Sequence, residues 1–231
     1  MWTISELKQS GKAAFQSNYW KCVVAAFLLS LLTGGISIAS RFNSGDAETI
    51  TENAQNMSPQ VLSLVAGASL IVIVLVLLFK IFVTNPLSVG CYTFFLRNTE
   101  DHQTDLDVIT SGFSNFINVF LTLLLRDIFI FLWSLLFIIP GLIKMYSYRM
   151  VPYILAENPT LSPTECITRS REMMSGNKWN AFVFDLSFIG WYLLSILTCG
   201  LLNIFWTRPY KESANAALYL KLKEISGYTQ Y

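Results

Sequence analysis

Residues 61–79 read VLSLVAGASLIVIVLVLLF, nineteen consecutive residues without a charged side chain. A helix rises about 1.5 Å per residue, so about 20 apolar residues cross a hydrocarbon core of about 30 Å. No water is available inside lipid to hydrogen-bond the backbone, and an α-helix satisfies all of its backbone groups within one segment. This stretch therefore predicts a transmembrane helix and a membrane protein of the all-α class.

Further apolar runs recur along the chain and predict additional spans. The other strong runs are residues 22–40, 128–143 and 179–207. Residues 108–125 are also uncharged, but they include Thr, Ser, Gly and Asn and predict a weaker span. The run 179–207 is long enough for one tilted span or for two short ones joined near residues 198–200. Four spans are therefore strongly predicted, and six result if the weak run and a split run are counted.

The composition agrees with a membrane location. Of the 231 residues, 53% are hydrophobic and only 13% are charged, and the mean hydropathy is +0.49. Because an ordinary soluble domain is about 25% charged, a soluble fold of this size would lack the charges to cover its surface. The net charge of +1 does not predict nucleic-acid binding. The four cysteines form no C-x-x-C pair, which is typical of buried apolar residues rather than of a zinc or disulfide framework.

The distribution of Lys and Arg decides between four and six spans, because basic residues in short loops mark the cytoplasmic side. The lead before Cys22 carries three, residues 144–178 carry five and the tail from Arg208 carries four, whereas residues 41–60 carry one together with three acids. All three basic segments share one side only with six spans, since four spans would leave residues 144–178 outside. We therefore predict a multi-pass protein of the cell membrane with cytoplasmic N- and C-termini.

These patterns predict a polytopic transmembrane helical bundle, formed by a single integral membrane domain over residues 1–231. Its spans are predicted near residues 21–40, 61–83, 108–125, 127–148, 179–197 and 200–220. Arg126 and Asp127 separate two of these spans, and we predict that they form a turn at the membrane interface. The alternative is a charge pair inside one longer helix.

Two polar stretches, residues 3–20 and 162–177, are predicted to form interfacial amphipathic helices. Each begins with a capping box, in which a hydroxyl residue caps the helix and a glutamate follows three residues later. The predicted apolar faces are Ile4, Leu7, Gly11, Ala14 and Phe15 in the first, and Cys166, Ile167, Met173 and Met174 in the second. Such faces can lie on a membrane surface or pack under the bundle.

The two stretches also suggest an internal repeat. The cap, an Asn and a Trp all recur at an offset of 159 residues, and Thr-x-Pro follows later in each half, at residues 84–86 and 207–209. A repeat predicts, in each half, an interfacial helix, a Trp anchor and a helical hairpin. The alternative is that capped helices and Trp anchors recur independently. A middle unit around residues 104–141 is a weaker match.

Three longer segments carry a family resemblance. They read IPGLIKMYSYRMVPYILAENPTLSP at residues 139–163, SREMMSGNKW at 170–179 and DLSFIGWYLLSILTCG at 185–200. NPLSVG at 85–90 and RPY at 208–210 fit the same pattern. Together they closely resemble the bacterial membrane protein family called domain of unknown function 975. The resemblance covers most of the chain and implies a multi-pass protein of the cytoplasmic membrane, but it implies no catalytic residue.

Two ionisable residues fall inside predicted spans. Asp185 lies about 10 Å along its helix from Lys178, and Lys80 lies about 6 Å from the end of its own helix. Charged groups inside a membrane cost free energy, so Asp185 and Lys80 are a candidate intramembrane pair, and a proton- or ion-coupled site is the functional interpretation. In the structural alternative, Lys80 extends to the headgroups and a basic or hydroxyl neighbour satisfies Asp185.

Motifs for common enzyme chemistries do not occur in the sequence, neither phosphate-binding glycine loops nor H-E-x-x-H or G-x-S-x-G. We therefore predict no catalytic, cofactor-binding or metal-binding residues. The predicted function is a non-enzymatic scaffold or accessory protein of the cytoplasmic membrane. Its predicted partners are membrane lipids and either another protein or a second copy, without nucleic acid. The alternative is a small-solute or ion transporter or a channel subunit, and a membrane enzyme is least favoured.

Overall fold

The computed structural model describes residues 2–33 and 58–228, and every regular element within these ranges is helical. The α-helices are α1 (Ile4–Ser17), α2 (Tyr19–Leu32), α3 (Pro59–Phe79), α4 (Asn85–Asp101), α5 (Phe116–Leu136), α6 (Ile138–Ser147), α7 (Val151–Glu157), α8 (Pro163–Met173), α9 (Lys178–Leu186), α10 (Ile189–Leu197) and α11 (Arg208–Ile225). A 3-10 helix spans Leu106–Phe113, and π-helical turns occupy Lys80–Thr84 and Asn203–Thr207. The all-α prediction is confirmed for the described residues.

Among the residues that the structure fully describes, two helical stretches are long and apolar enough to cross a membrane. They are Phe116–Leu136, which is α5, and Lys178–Leu197, which joins α9 and α10. The shorter α2 is also apolar, but the predicted span 21–40 continues from it into residues outside the described ranges. By length and composition, the described helices therefore do not confirm the prediction of four to six spans.

The predicted turn at Arg126 and Asp127 is wrong, because α5 runs through both residues without a break. Neither residue is a helix breaker, and the two side chains neutralise each other, with Arg126 Nη2 2.7 Å from Asp127 Oδ1. The chain instead turns at Phe137, whose backbone is extended. Pro140 follows in the first turn of α6, where its missing N–H costs no hydrogen bond.

The boundaries of the spans predicted at 108–125 and 127–148 change accordingly. Residues 106–113 form the 3-10 helix, which packs on α4, and α5 begins only after it. α6 then runs back along α5, since Lys144 Nζ lies 4.5 Å from the ring centroid of Trp133, and the ring of Tyr148 lies 6.3 Å from that of Phe129 at an angle of 40°. α5 and α6 therefore form a helical hairpin.

A second chain reversal confirms the joint predicted near residues 198–200. α10 ends at Leu197, and Cys199 and Gly200 adopt left-handed backbone angles, with φ of 51° and 85°. Glycine takes this conformation without steric cost. The hydroxyls of Ser195 and Thr207 lie 3.5 Å apart across the turn, so the chain folds back beside α10.

The capped starts of α1 and α8 are also confirmed. The backbone N–H of Glu6 donates to Thr3 Oγ1 (3.2 Å), and that of Glu165 donates to Ser162 Oγ (3.4 Å). The predicted apolar faces are buried, apart from Ile4, which is partly buried. These faces pack on other helices of the chain, α1 on α11 and α8 on α5 and α7. The apolar faces are therefore covered by other helices of the chain, as in the alternative of packing under the bundle, and the interfacial placement of residues 3–20 and 162–177 remains a prediction.

The same order of elements recurs three times along the chain. A short helix comes first, an asparagine then occupies the N-cap position of the next helix, two apolar helical stretches follow, and a helix with proline in its first turn ends the unit. The asparagines at these positions are Asn18, Asn115 and Asn177, and the proline-initiated helices are α4, α7 and α11. Each short helix packs on the proline-initiated helix of another unit: α1 on α11, the 3-10 helix on α4, and α8 on α7. The three units therefore interlock.

Candidate functional site

Asp185, near the end of α9, lies at the centre of a cluster of polar side chains. Arg149, in the turn between α6 and α7, donates two hydrogen bonds to it: Nη1 to Oδ2 (2.8 Å) and Nη2 to Oδ1 (2.9 Å). The Tyr146 hydroxyl donates to Oδ2 (3.0 Å), and Lys211 Nζ lies 3.4 Å from Oδ1. Arg149 also donates to Asn215 Oδ1 (2.7 Å) in α11. We call these five side chains the Asp185 network.

The Asp185 network joins three segments that are distant in sequence: the α6–α7 turn, α9 and α11. A bidentate arginine–carboxylate pair has a fixed geometry and is among the stronger charged contacts in proteins. The side chains of Asp185 and Arg149 are only 24% and 15% exposed. The network therefore satisfies a carboxylate inside an apolar helix and fixes α9 against α11.

The predicted pairing of Asp185 with Lys80 remains a prediction. The backbone of Lys80 lies in the π-helical turn Lys80–Thr84, but its side chain is outside the described residues. Asp185 has the basic and hydroxyl neighbours that the structural alternative requires, namely Arg149, Lys211 and Tyr146.

A cavity of about 370 Å³ lies between α2, α4, α5 and α7. Its polar lining comes from Thr33, Thr84, Asn85, Ser88, Tyr92, Arg126 and Asp127. Leu32, Leu123 and Pro152 complete the wall. We call this space the Arg126 cavity. It brings together residues from four segments, and the charged pair of α5 lies in its wall.

The Arg126 side chain is arranged with one edge on Asp127 and another edge free. Nε and Nη2 both donate to Asp127 Oδ1, at 2.9 and 2.7 Å. Nη1 has no hydrogen-bond partner among the described residues. A guanidinium group offers five N–H donors, so this arrangement leaves donors for a further acceptor.

A second arginine approaches the same cavity from the far side of Thr33. Arg208 Nη2 donates to Thr33 Oγ1 (3.1 Å), and Arg208 lines an adjoining cavity of about 180 Å³. Asn203 also lines that smaller cavity, and its Oδ1 is buried without a hydrogen-bond partner in the described part of the chain. Two arginines therefore lie close to polar, partly unsatisfied surfaces.

A third polar cluster gathers the N-terminal, middle and C-terminal parts of the chain at one end of the molecule. Trp2 Nε1 donates to Asn177 Oδ1 (3.0 Å), and the Tyr219 hydroxyl donates to Glu157 Oε2 (2.6 Å). The Tyr228 hydroxyl donates to Glu172, which raises the pKa of that tyrosine. These contacts are structural ties between segments rather than a pocket.

Within residues 2–33 and 58–228, no group of three or more His, Cys, Asp or Glu side chains is placed to hold a metal ion. His102 ends α4 in a left-handed conformation, with φ of 58°.

Sequence patterns did not indicate either the partners of Asp185 or the Arg126 cavity. Arg149 and Asp185 are 36 residues apart, and no helical spacing relates them. The lining of the cavity comes from segments whose contact depends on how the hairpins pack. The one usable signal was the charged pair within an otherwise apolar run at Arg126 and Asp127.

Comparison with known proteins gives one family match. Residues 135–226 match the family model described as "Protein of unknown function (DUF975)". The matched region includes four of the five segments that carry the resemblance, together with Arg149, Asp185 and Lys211, whereas residues 85–90 and Arg126 lie outside it. No curated protein and no solved structure matches the chain. Residues 135–226 of this chain thus belong to the family of unknown function DUF975, the family indicated by the sequence motifs.

Proposed function

We propose that this chain is a multi-pass protein of the cytoplasmic membrane that serves as a non-enzymatic scaffold or accessory protein. The observation that carries the proposal is the apolar surface at the ends of the hairpins. Leu135 and Ile138 are 74% and 79% exposed, and Ile196 and Leu197 are 76% and 80% exposed. Soluble monomers rarely expose large apolar patches, so lipid or the helices of another protein are expected to cover these side chains.

The low burial of the long apolar helices supports a membrane location. Only 17% of the most apolar window of Phe116–Leu136 is buried, and 22% of that of Lys178–Leu197. The central helix of a soluble protein would be mostly buried. Exposed apolar helices of this length match the thickness of a hydrocarbon core.

The positions of the chain segments support the six-span topology. Trp2 contacts Asn177, and Lys223 pairs with Glu157, so the N-terminus, the segment before α9 and the end of α11 lie together. These are the three segments whose basic residues predict a cytoplasmic location. The turns at Phe137 and Cys199 lie at the far ends of helices that start from this side. The proposed topology therefore consists of three helical hairpins, each of which crosses the membrane and returns, with both termini in the cytoplasm.

The scaffold role is supported by how the charges are arranged. The Asp185 network satisfies its own carboxylate, and Asp127 is paired with Arg126. The lateral surface is instead apolar, and association of membrane helices depends on close packing of such surfaces. A lateral contact with another membrane protein, or with a second copy, is what this surface offers.

Site-specific photocrosslinking in membranes tests the scaffold role. A photoreactive residue at Leu197 or Leu135 is expected to give one discrete adduct with another protein or with a second copy. A photoreactive residue at Leu155, which is 0% exposed, is the matched control and is expected to give none. Adducts with lipid alone at both exposed positions would contradict the scaffold role and leave the membrane location intact.

A small-solute or ion transporter or a channel subunit is the second candidate function. The Arg126 cavity favours it, because a polar cavity between apolar helices is a feature of solute pathways. A solute flux in proteoliposomes that is lost in Asp185→Ala, while the variant remains folded, would favour this candidate over the scaffold.

A further inference from the structure

We propose that the Arg126 cavity binds an organic molecule through an anionic phosphate group held by Arg126. This inference goes beyond the scaffold role, and it rests on the geometry of the cavity and on the membrane location proposed above. With a volume of about 370 Å³, the cavity is within the usual range of small-molecule sites, about 300–1,000 Å³. That volume exceeds what a single inorganic ion fills, so the charged group belongs to a larger molecule.

Several polar groups of the wall are available to such a ligand. Arg126 Nη1, the Asn85 amide and the Tyr92 hydroxyl have no hydrogen-bond partner among the described residues. Ser88 donates to the carbonyl of Asn85 (2.8 Å), which leaves the oxygen of that hydroxyl free to accept. The available groups are mostly donors, and phosphate oxygens are acceptors.

Two arginines lie near the cavity. Arg126 and Asp127 cancel each other within the wall, and Arg208 adds a positive charge behind Thr33, to whose hydroxyl it donates. Glu212 in α11 also interacts electrostatically with Tyr92 of the wall, so these four side chains have no net charge, and the free donors are what favours a phosphate. Arginine is suited to phosphate because its planar fork can donate two parallel hydrogen bonds to one phosphate group.

The exposure of the Asp127 side chain indicates that it faces the polar Arg126 cavity. Its side chain is 53% exposed although the residue lies in the middle of α5. In the membrane location proposed above, a carboxylate at this depth is costly unless it faces a polar cavity. The cavity supplies that environment, and a ligand phosphate on the free edge of Arg126 would leave the Arg126–Asp127 contact in place.

A phosphate group of this kind can come from a lipid headgroup or from a soluble phosphate ester. Binding is measured on the full chain in a neutral detergent, by native mass spectrometry and thermal shift. The probes are dioctanoyl phosphatidylglycerol and glycerol 3-phosphate. Dioctanoyl phosphatidylcholine, whose headgroup carries no net charge, is the lipid control. Binding of the anionic lipid alone identifies a lipid site, and binding of glycerol 3-phosphate as well identifies a site for soluble esters.

Two neighbouring substitutions are expected to act in opposite directions. Arg126→Gln removes a charged donor and is expected to weaken binding of the effective probe about tenfold or more, since hydrogen bonds to charged groups are the stronger ones. Asp127→Asn removes a negative charge that repels the phosphate and is expected to strengthen binding severalfold. Arg171→Gln changes an exposed arginine outside the cavity and is expected to have no effect.

The inference is overturned if neither probe binds, or if binding is equal in Arg126→Gln and the unmodified chain. It is also overturned if Arg126→Gln and Asp127→Asn weaken binding alike, because both would then act by disturbing α5. Arg126→Lys retains the positive charge at this position of α5. Its affinity for the probe is expected to lie between those of Arg126→Gln and the unmodified chain, which shows that the substituted chain still folds. None of these outcomes depends on the crosslinking result, so the scaffold role and the cavity can fail separately.

Discussion

The carboxylate of Asp185 ties α9 to the α6–α7 turn and to α11 through Arg149 and Lys211. Removing one member of a buried ion pair leaves its partner without compensation, which typically costs about 3–5 kcal/mol. We expect Asp185→Asn to lower the free energy of unfolding in detergent by about 3 kcal/mol, the low end of that range because the pair is partly exposed. Thermal unfolding followed by circular dichroism measures the change.

Asp101→Asn is the matched control for this substitution. Asp101 is exposed at the end of α4, and its change is expected to stay within about 0.5 kcal/mol. If Asp185→Asn is as stable as the unmodified chain but a measurable flux is lost, the Asp185 network is a functional site and not a structural tie.

At the scale of elements, the contact between α1 and α11 depends on a glycine. A Cβ atom added at Gly11 would lie 2.5 Å from the Cα atom and 2.6 Å from the backbone nitrogen of Ala214. Because these are backbone atoms, the helices must move apart to admit a side chain. We expect Gly11→Ala to lower the free energy of unfolding by about 1–3 kcal/mol, as overpacking does.

Gly190→Ala in α10 serves as the control substitution, because a Cβ atom at Gly190 would meet no atom within 4 Å. Alanine favours helix over glycine by about 1 kcal/mol. The control is therefore expected to be neutral or stabilising in the same unfolding assay. Equal effects of the two substitutions would contradict the close approach of α1 to α11.

Local signals predicted some elements well. The caps at Thr3 and Ser162, the buried faces of α1 and α8 and the turn near Cys199 all follow from short-range chemistry, namely hydroxyl capping, helical periodicity and glycine in a left-handed turn. The turn predicted at Arg126 is wrong for a related reason. Two adjacent opposite charges satisfy each other inside a helix. The helix instead ends at Phe137, whose backbone is extended, and Pro140 follows three residues later.

At the scale of the whole molecule, the arrangement of the three units was only partly predictable. The repeat of cap, Asn and Trp indicates that the first and third units resemble each other. The packing of each short helix on a different unit involves residues far apart in sequence, as with Gly11 and Ala214, and no spacing pattern encodes that choice. The Arg126 cavity shares this dependence on long-range packing, so the sequence could indicate its charged pair but not its lining.

The central claim for the whole molecule is that its hairpins cross a membrane, with the termini on one side and the turn at Cys199 on the other. The native cysteines make this measurable. Cys199 is exposed, whereas Cys22, Cys91 and Cys166 are buried. Burial also raises the pKa of Cys166 to about 12, so its thiol stays protonated and unreactive at neutral pH.

The most direct measurement is therefore labelling of Cys199 in intact cells with a membrane-impermeant maleimide. Cys199 is expected to be labelled without permeabilisation, and no labelling is expected in Cys199→Ser. Thr160→Cys in the Cys199→Ser background places a thiol at an exposed residue between α7 and α8, and labelling only after permeabilisation is predicted there. Protection of Cys199 until the membrane is opened, or labelling of Thr160→Cys from outside, would contradict the six-span topology.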